Sequence, residues 1–160
     1  MKIKGQLSGK IECYTPEKTK ERVTLLTTCI LNSTECQAVS LAFIAIDRAI
    51  FPGNIPAIPD IHVNIIFYCE DEIVFEMDDL GFGFFGNMIL LPVHRWRSER
   101  HCVERIAYTI IEELCHCFFN IRDEVAVKEK TVELLRSVGV SMAWSLPYQL
   151  VSEKSENHPN

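Results

Sequence analysis

Val103-Glu104-Arg105-Ile106-Ala107-Tyr108-Thr109-Ile110-Ile111-Glu112-Glu113-Leu114-Cys115-His116-Cys117-Phe118-Phe119-Asn120 is the stretch on which the organisation of the whole chain turns. At helical spacing, Arg105, Thr109, Glu112, Glu113, His116 and Asn120 fall within an arc of about 100°. The rest of the circumference is almost entirely apolar. A helix of this kind is packed on most of its sides, so the polar stripe is expected to line a cleft, with Thr109 and Asn120 among the lining residues. The plainer alternative is an amphipathic helix whose wet side is this stripe.

Working outward, residues 120–122 form a short turn. A further helix is expected over residues 123–138, stopped by Gly139. Its inward face carries Val125, Val127, Val132, Leu134, Leu135 and Val138, with Glu124, Lys128 and Thr131 near the centre. Upstream, Ser98 is expected to cap the motif helix. Before it, Ile61, Val63, Ile65 and Phe67 alternate with His62, Asn64 and Tyr68, and strands follow at residues 72–76 and 84–91. Asp78, Asp79, Gly81 and Gly83 between them read as turn residues rather than calcium ligands. This pattern predicts a meander of short, mostly antiparallel strands. Residues 34–51 are apolar nearly all round and predict a buried backing helix that ends at Pro52 and Gly53.

Residues 16–31 read as a helix with Thr15 as N-cap and Pro16 in its first position, although Val23, Thr24, Thr27 and Thr28 work against it. Residues 1–14 read as a weak strand or hairpin. The expected fold class is α+β: a single domain over residues 1–151, in which 1–32 is an N-terminal element of its own, and a disordered tail over 152–160.

The chain has 160 residues, 48% of them apolar, enough for one core. A net charge of -6 argues against a nucleic-acid partner, because binding to phosphate needs a positive footprint. The local exception, His94, Arg95, Arg97, Arg100 and His101 around Trp96, reads as the solvated start of a helix. Met1 to Lys10 lacks the apolar core of a secretory leader, and no apolar run is long enough to span a bilayer, so no membrane association is expected. The 7 cysteines form an odd set, several of them inside apolar runs, which fits unbridged thiols in the reducing cytoplasm. No CxxC pair supports a thiolate zinc site.

The run Glu112-Glu113-Leu114-Cys115-His116 resembles the HExxH helix of the zincin metallopeptidases, with the first His replaced by Glu. The likeness extends over residues 34–138: a backing helix, a small sheet, the motif helix and a following helix that bears acids. It implies a small zincin-like domain in which His116 is a metal ligand, Glu113 the general base and Glu124 a third ligand from the second helix. Glu112 at the first ligand position departs from the pattern. A set made of Glu112, His116 and Glu124 is harder and more anionic than the zincin set, and suits manganese or iron at least as well as zinc. Cys115 and Cys117 diverge from His116 by about 100° each and do not join it. The Glu113 and His116 spacing also matches di-iron bundles, but no second ExxH is present.

Lys128 changes the balance. An ammonium on an apolar face requires an anionic partner or a path to water. With Glu112 or Glu113 as that partner, it would form an ion pair in place of a coordinated cation; the bland alternative is a lysine that snorkels past the core edge. The leading expectation is a zincin-like domain with a degenerate metal site and no cofactor, non-proteolytic, which acts by binding a protein or peptide, for instance along the strand at residues 86–91. The alternatives are an active metal-dependent peptidase with Glu113 as base, and a metal-binding, non-catalytic protein holding a single zinc, manganese or iron ion.

Overall fold

The computed structural model describes residues 2–4, 11, 13–50, 61–70, 74–76 and 87–141. In chain order the described elements are β1 (Lys2–Lys4), α1 (Glu17–Lys20), β2 (Val23–Thr27), α2 (Ser33–Ile50), β3 (Val63–Tyr68), β4 (Val74–Glu76), β5 (Asn87–Pro92), α3 (Val93–Ser98), α4 (Val103–Phe118) and α5 (Glu124–Ser137). The α+β character matches the expectation. The loop expected around Pro52 to Pro59, the turn at Asp78, Asp79, Gly81 and Gly83, and the 152–160 tail lie outside the described residues.

The expected antiparallel meander is corrected. β2, β3 and β5 form a three-stranded sheet in that order, and both pairings are parallel. Strand direction follows from the connections. β2 reaches β3 through α2, the long crossover that a parallel pair requires. β4, the next strand along the chain after β3, pairs instead with β1, antiparallel, in a separate two-stranded ribbon.

The helix expected over residues 16–31 is likewise corrected. Only Glu17–Lys20 is helical, and the β-branched stretch from Val23 forms an edge strand. Thr15 does not cap it; its hydroxyl points back to the Cys13 carbonyl at 3.5 Å. The long helix expected to be capped by Ser98 starts later, and Ser98 instead ends a short helix of its own. α3 ends at Ser98, Arg100 takes a left-handed backbone with φ of 52°, and α4 starts after Cys102, whose side chain makes no capping bond.

One face of the sheet is dry. Val23, Val63, Leu25, Ile65, Ile89, Phe67 and Leu91 face the helices, while Thr24, Asn64, Met88 and Leu90 alternate to the other side. α2 lies against α4 and α5, and α4 also meets β5. Phe43, Ile46, Phe67, Ile110, Ile111, Leu114 and Phe118 are fully buried between these layers.

α2 starts with a reciprocal capping box. The Asn32 side chain accepts from Glu35 N–H at 2.9 Å, and the Glu35 carboxylate accepts from Asn32 N–H at 2.8 Å. The same carboxylate is buried and takes a two-pronged contact from Arg97 on α3, Nε at 2.7 Å and Nη2 at 2.9 Å. Arg97 also donates to the Ile30 carbonyl at 2.8 Å. These bonds fasten α3 to the start of the backing helix.

Candidate functional site

α4 is buried along Ile106, Ala107, Tyr108, Ile110, Ile111, Leu114, Cys115 and Phe118. Of the polar stripe, Arg105, Thr109, Glu112 and His116 are half-buried, and Glu113 and Asn120 are exposed. Thr109 turns back onto its own helix, donating to the Arg105 carbonyl at 3.3 Å.

The end of the helix sets the imidazole. Asn120 follows the last turn with φ of 51°, a left-handed conformation that asparagine tolerates better than most residues. The chain then folds back, and the Ile121 carbonyl comes to 2.6 Å from His116 Nδ1. A carbonyl can only accept, so Nδ1 carries the proton. That leaves Nε2 facing α5, 3.7 Å from Glu124 Oε1. Asn120 therefore acts through its backbone, as the turn that orients His116.

α5 begins at Asp123, whose side chain accepts from Ala126 N–H at 2.8 Å. It ends in a Schellman turn: Val140 N–H bonds to the Leu135 carbonyl at 3.0 Å, Gly139 N–H to the Arg136 carbonyl at 3.0 Å, and Gly139 has φ of 85°. Thr131 is fully buried, donates to the Val127 carbonyl at 2.8 Å and lies 4.0 Å from Cys115 Sγ. Val125, expected on the inward face, is 43% exposed instead.

The two helices bring five of the expected residues into one electrostatic group. Burial raises the Glu112 carboxyl above the usual carboxylate range; Lys128 lowers it, Glu113 and Glu124 raise it, and His116 lowers it. Tyr108, which the periodicity assigns to the apolar face, belongs to the group as well. Its phenol is pushed up to about 12 by burial and by Glu112, against Arg105, with Cys115 and Glu124 adding to the rise. The available signal was its position one turn before Glu112. Burial also pushes the Cys115 thiol up to about 12, so this cysteine is a packed, protonated hydrophobe.

His116 and Glu124 approach each other as a pair, while Lys128 acts on Glu112 through its charge. Among the described residues, no group of three or more His, Cys, Asp or Glu side chains converges as a metal site. Glu113, exposed on the next position of the turn, adds its charge to the group around Glu112.

The basic cluster resolves into separate parts. Trp96 is buried, Arg97 is neutralised by Glu35, and the His94 ring stacks obliquely on Tyr68 with centroids 5.8 Å apart. His101 Nε2 meets Glu99 at 2.7 Å. A cavity of about 240 Å3 lies here, at the opposite end of α4 from His116, between Asn32, Thr34, Glu35, Trp96, Arg97 and Arg100. No described helix is long and apolar enough to cross a membrane. In comparisons with known proteins, the chain matches no family model, no curated protein and no solved structure.

Proposed function

We propose that this chain is a cytoplasmic zincin-like domain with a degenerate metal site, non-proteolytic, which works by binding a protein or an extended peptide. The observation that carries this is Lys128: after burial, its positive charge is the largest influence on Glu112, the residue that replaces the first metal-binding His. An ammonium there supplies the charge that a coordinated cation would otherwise bring. The peptide would lie along β5, which ends the described sheet with β3 on one side only and carries exposed Asn87 and Leu90. One observation favours the alternative of a metal-dependent hydrolase with Glu113 as base: His116 Nδ1 is tied to a carbonyl, the arrangement that metal-ligating histidines adopt.

Elemental analysis of protein purified without chelator separates these readings. Substoichiometric transition metal is expected, together with acquired zinc binding in the double variant Glu112→His with Lys128→Glu. Stoichiometric metal in the unaltered protein would overturn the degenerate site. For the docking mode, a peptide selected by display should slow amide exchange along Met88 to Leu91. Protection confined to other elements would overturn docking on β5.

A further inference from the structure

We propose that the cavity beside Trp96 and Arg100 binds a small phosphate monoester, at a site separate from the Glu112 and His116 group. Its place follows from strand direction. β2, β3 and β5 run parallel, so the chain leaves all three at the same end of the sheet, and α2 and α3 start there after β2 and β5. In open sheets of parallel strands, ligands bind outside the carboxyl ends. The cavity lies between Asn32 and Thr34, which follow β2, and Trp96 and Arg100, which follow β5, with Ile106 of α4 completing the wall. Its volume of about 240 Å3 is below the roughly 300 to 1,000 Å3 of sites for drug-sized molecules, and suits a compact ligand.

The lining offers hydrogen-bond donors. Trp96 is 3% exposed, and its ring meets Phe67 edge-on with centroids 6.2 Å apart. Its indole N–H makes no hydrogen bond among the described residues. Nor is that N–H sealed from solvent, as the unpartnered atoms of His94 and His101 are. It therefore opens on the space that Trp96 borders, the cavity. An indole N–H can only donate, so it selects an acceptor. Arg100 is exposed and forms no ion pair among the described residues. Its N–H bonds to the Arg97 carbonyl at 3.3 Å and the His101 N–H to the Trp96 carbonyl at 2.9 Å, a turn that brings Arg100 to the same cavity.

The helix starts add to this set. The capping bonds of Asn32 take the N–H groups of Glu35 and Cys36, and leave those of Ser33 and Thr34 without a partner among the described residues. Thr34 also brings a hydroxyl. α4 begins beside the cavity with no side-chain cap, and both helix starts favour negative charge. The lining carboxylate, Glu35, is already neutralised by Arg97 at 2.7 and 2.9 Å, and His101 is held by Glu99 at 2.7 Å. The charge left over is the positive charge of Arg100. A phosphate monoester turns three terminal oxygens to such donors and takes a two-pronged contact from a guanidinium. A carboxylate has only two oxygens and leaves part of the set unmet. Ile106 provides an apolar wall for the ester group.

The test titrates the full chain with methyl phosphate, inorganic phosphate and acetate at constant ionic strength, and follows the indole N–H resonance that is lost in Trp96→Phe. A saturable shift is expected with methyl phosphate, with acetate at least about fivefold weaker. Arg100→Gln is expected to weaken methyl phosphate roughly tenfold and Thr34→Val about threefold. Arg95→Gln, at an exposed arginine of α3 outside the lining, should leave binding unchanged. The absence of a saturable shift, acetate binding as tightly as the ester, or equal losses in Arg95→Gln and Arg100→Gln would overturn the proposal. Tighter binding of inorganic phosphate than of the ester would overturn the choice of a monoester.

Discussion

Glu112 is the side chain at which burial and charge compete most directly. Its carboxyl is held above the usual range by burial, with Lys128 pulling the other way. A carboxyl raised in the folded state binds its proton more tightly there than when unfolded. Its stabilising contribution is therefore complete below the unfolded value and is lost as pH rises through the folded value. Glu112→Gln is expected to flatten this loss and raise stability at neutral pH by about 0.5 kcal/mol. Lys128→Met is expected to steepen it. Thermal melts between about pH 4 and pH 8 read both effects, and a steeper profile in Glu112→Gln would contradict the burial argument. At Asn120, Val should cost about 1 to 2 kcal/mol because a β-branched residue is strained at positive φ, whereas Gly should be tolerated. The imidazole chemical shifts of His116 should move in the Val variant as the Ile121 carbonyl loses its place.

The elements were unequally legible in the sequence. α4 and α5 announce themselves by period, and the polar stripe of α4 could be located from spacing alone, whereas Glu124, expected near the centre of the inward face of α5, has a side chain 67% exposed. Strand direction could not, because alternation of apolar and polar residues is the same in parallel and antiparallel strands. β2 escaped because Pro16 and the charges after it do start a helix, but one that lasts only through Lys20 before Val23, Thr24 and Thr27 turn the chain extended. With β2 hidden, α2 could not be seen as a crossover. Tyr108 was assigned by its type to the apolar face, where it is indeed buried, and its electrostatic tie to Glu112 needed coordinates. The Asn32 and Glu35 capping box begins α2, and Glu35 also holds α3 through Arg97. Arg97→Met is expected to cost about 2 to 3 kcal/mol, since it leaves a buried carboxylate with one charge partner fewer, while its own half-exposed head moderates the loss. Denaturant unfolding measures this, and Glu35→Gln in the same background should recover part of it. Asp123→Ala should cost about 1 kcal/mol through the lost cap on α5.

At the scale of the molecule, the described residues are held by packing of α2 and α4 over one face of a parallel sheet, with no described element whose position depends on the Glu112, His116 and Glu124 group alone. Chelator is therefore expected to leave the melting temperature unchanged, as checked by calorimetry with and without it; a marked fall would point to a bound ion that supports the fold. The packing of α2 on α4 also has a consequence for synthesis. Ala38, Ala42, Phe43 and Ile46 of α2 are covered by a helix that begins only at Val103. A chain growing from its N-terminus exposes that apolar surface, and the open edge of β3, until β5 and α4 have left the ribosome. The nascent domain thus passes through a long interval in which this apolar surface lacks its native cover.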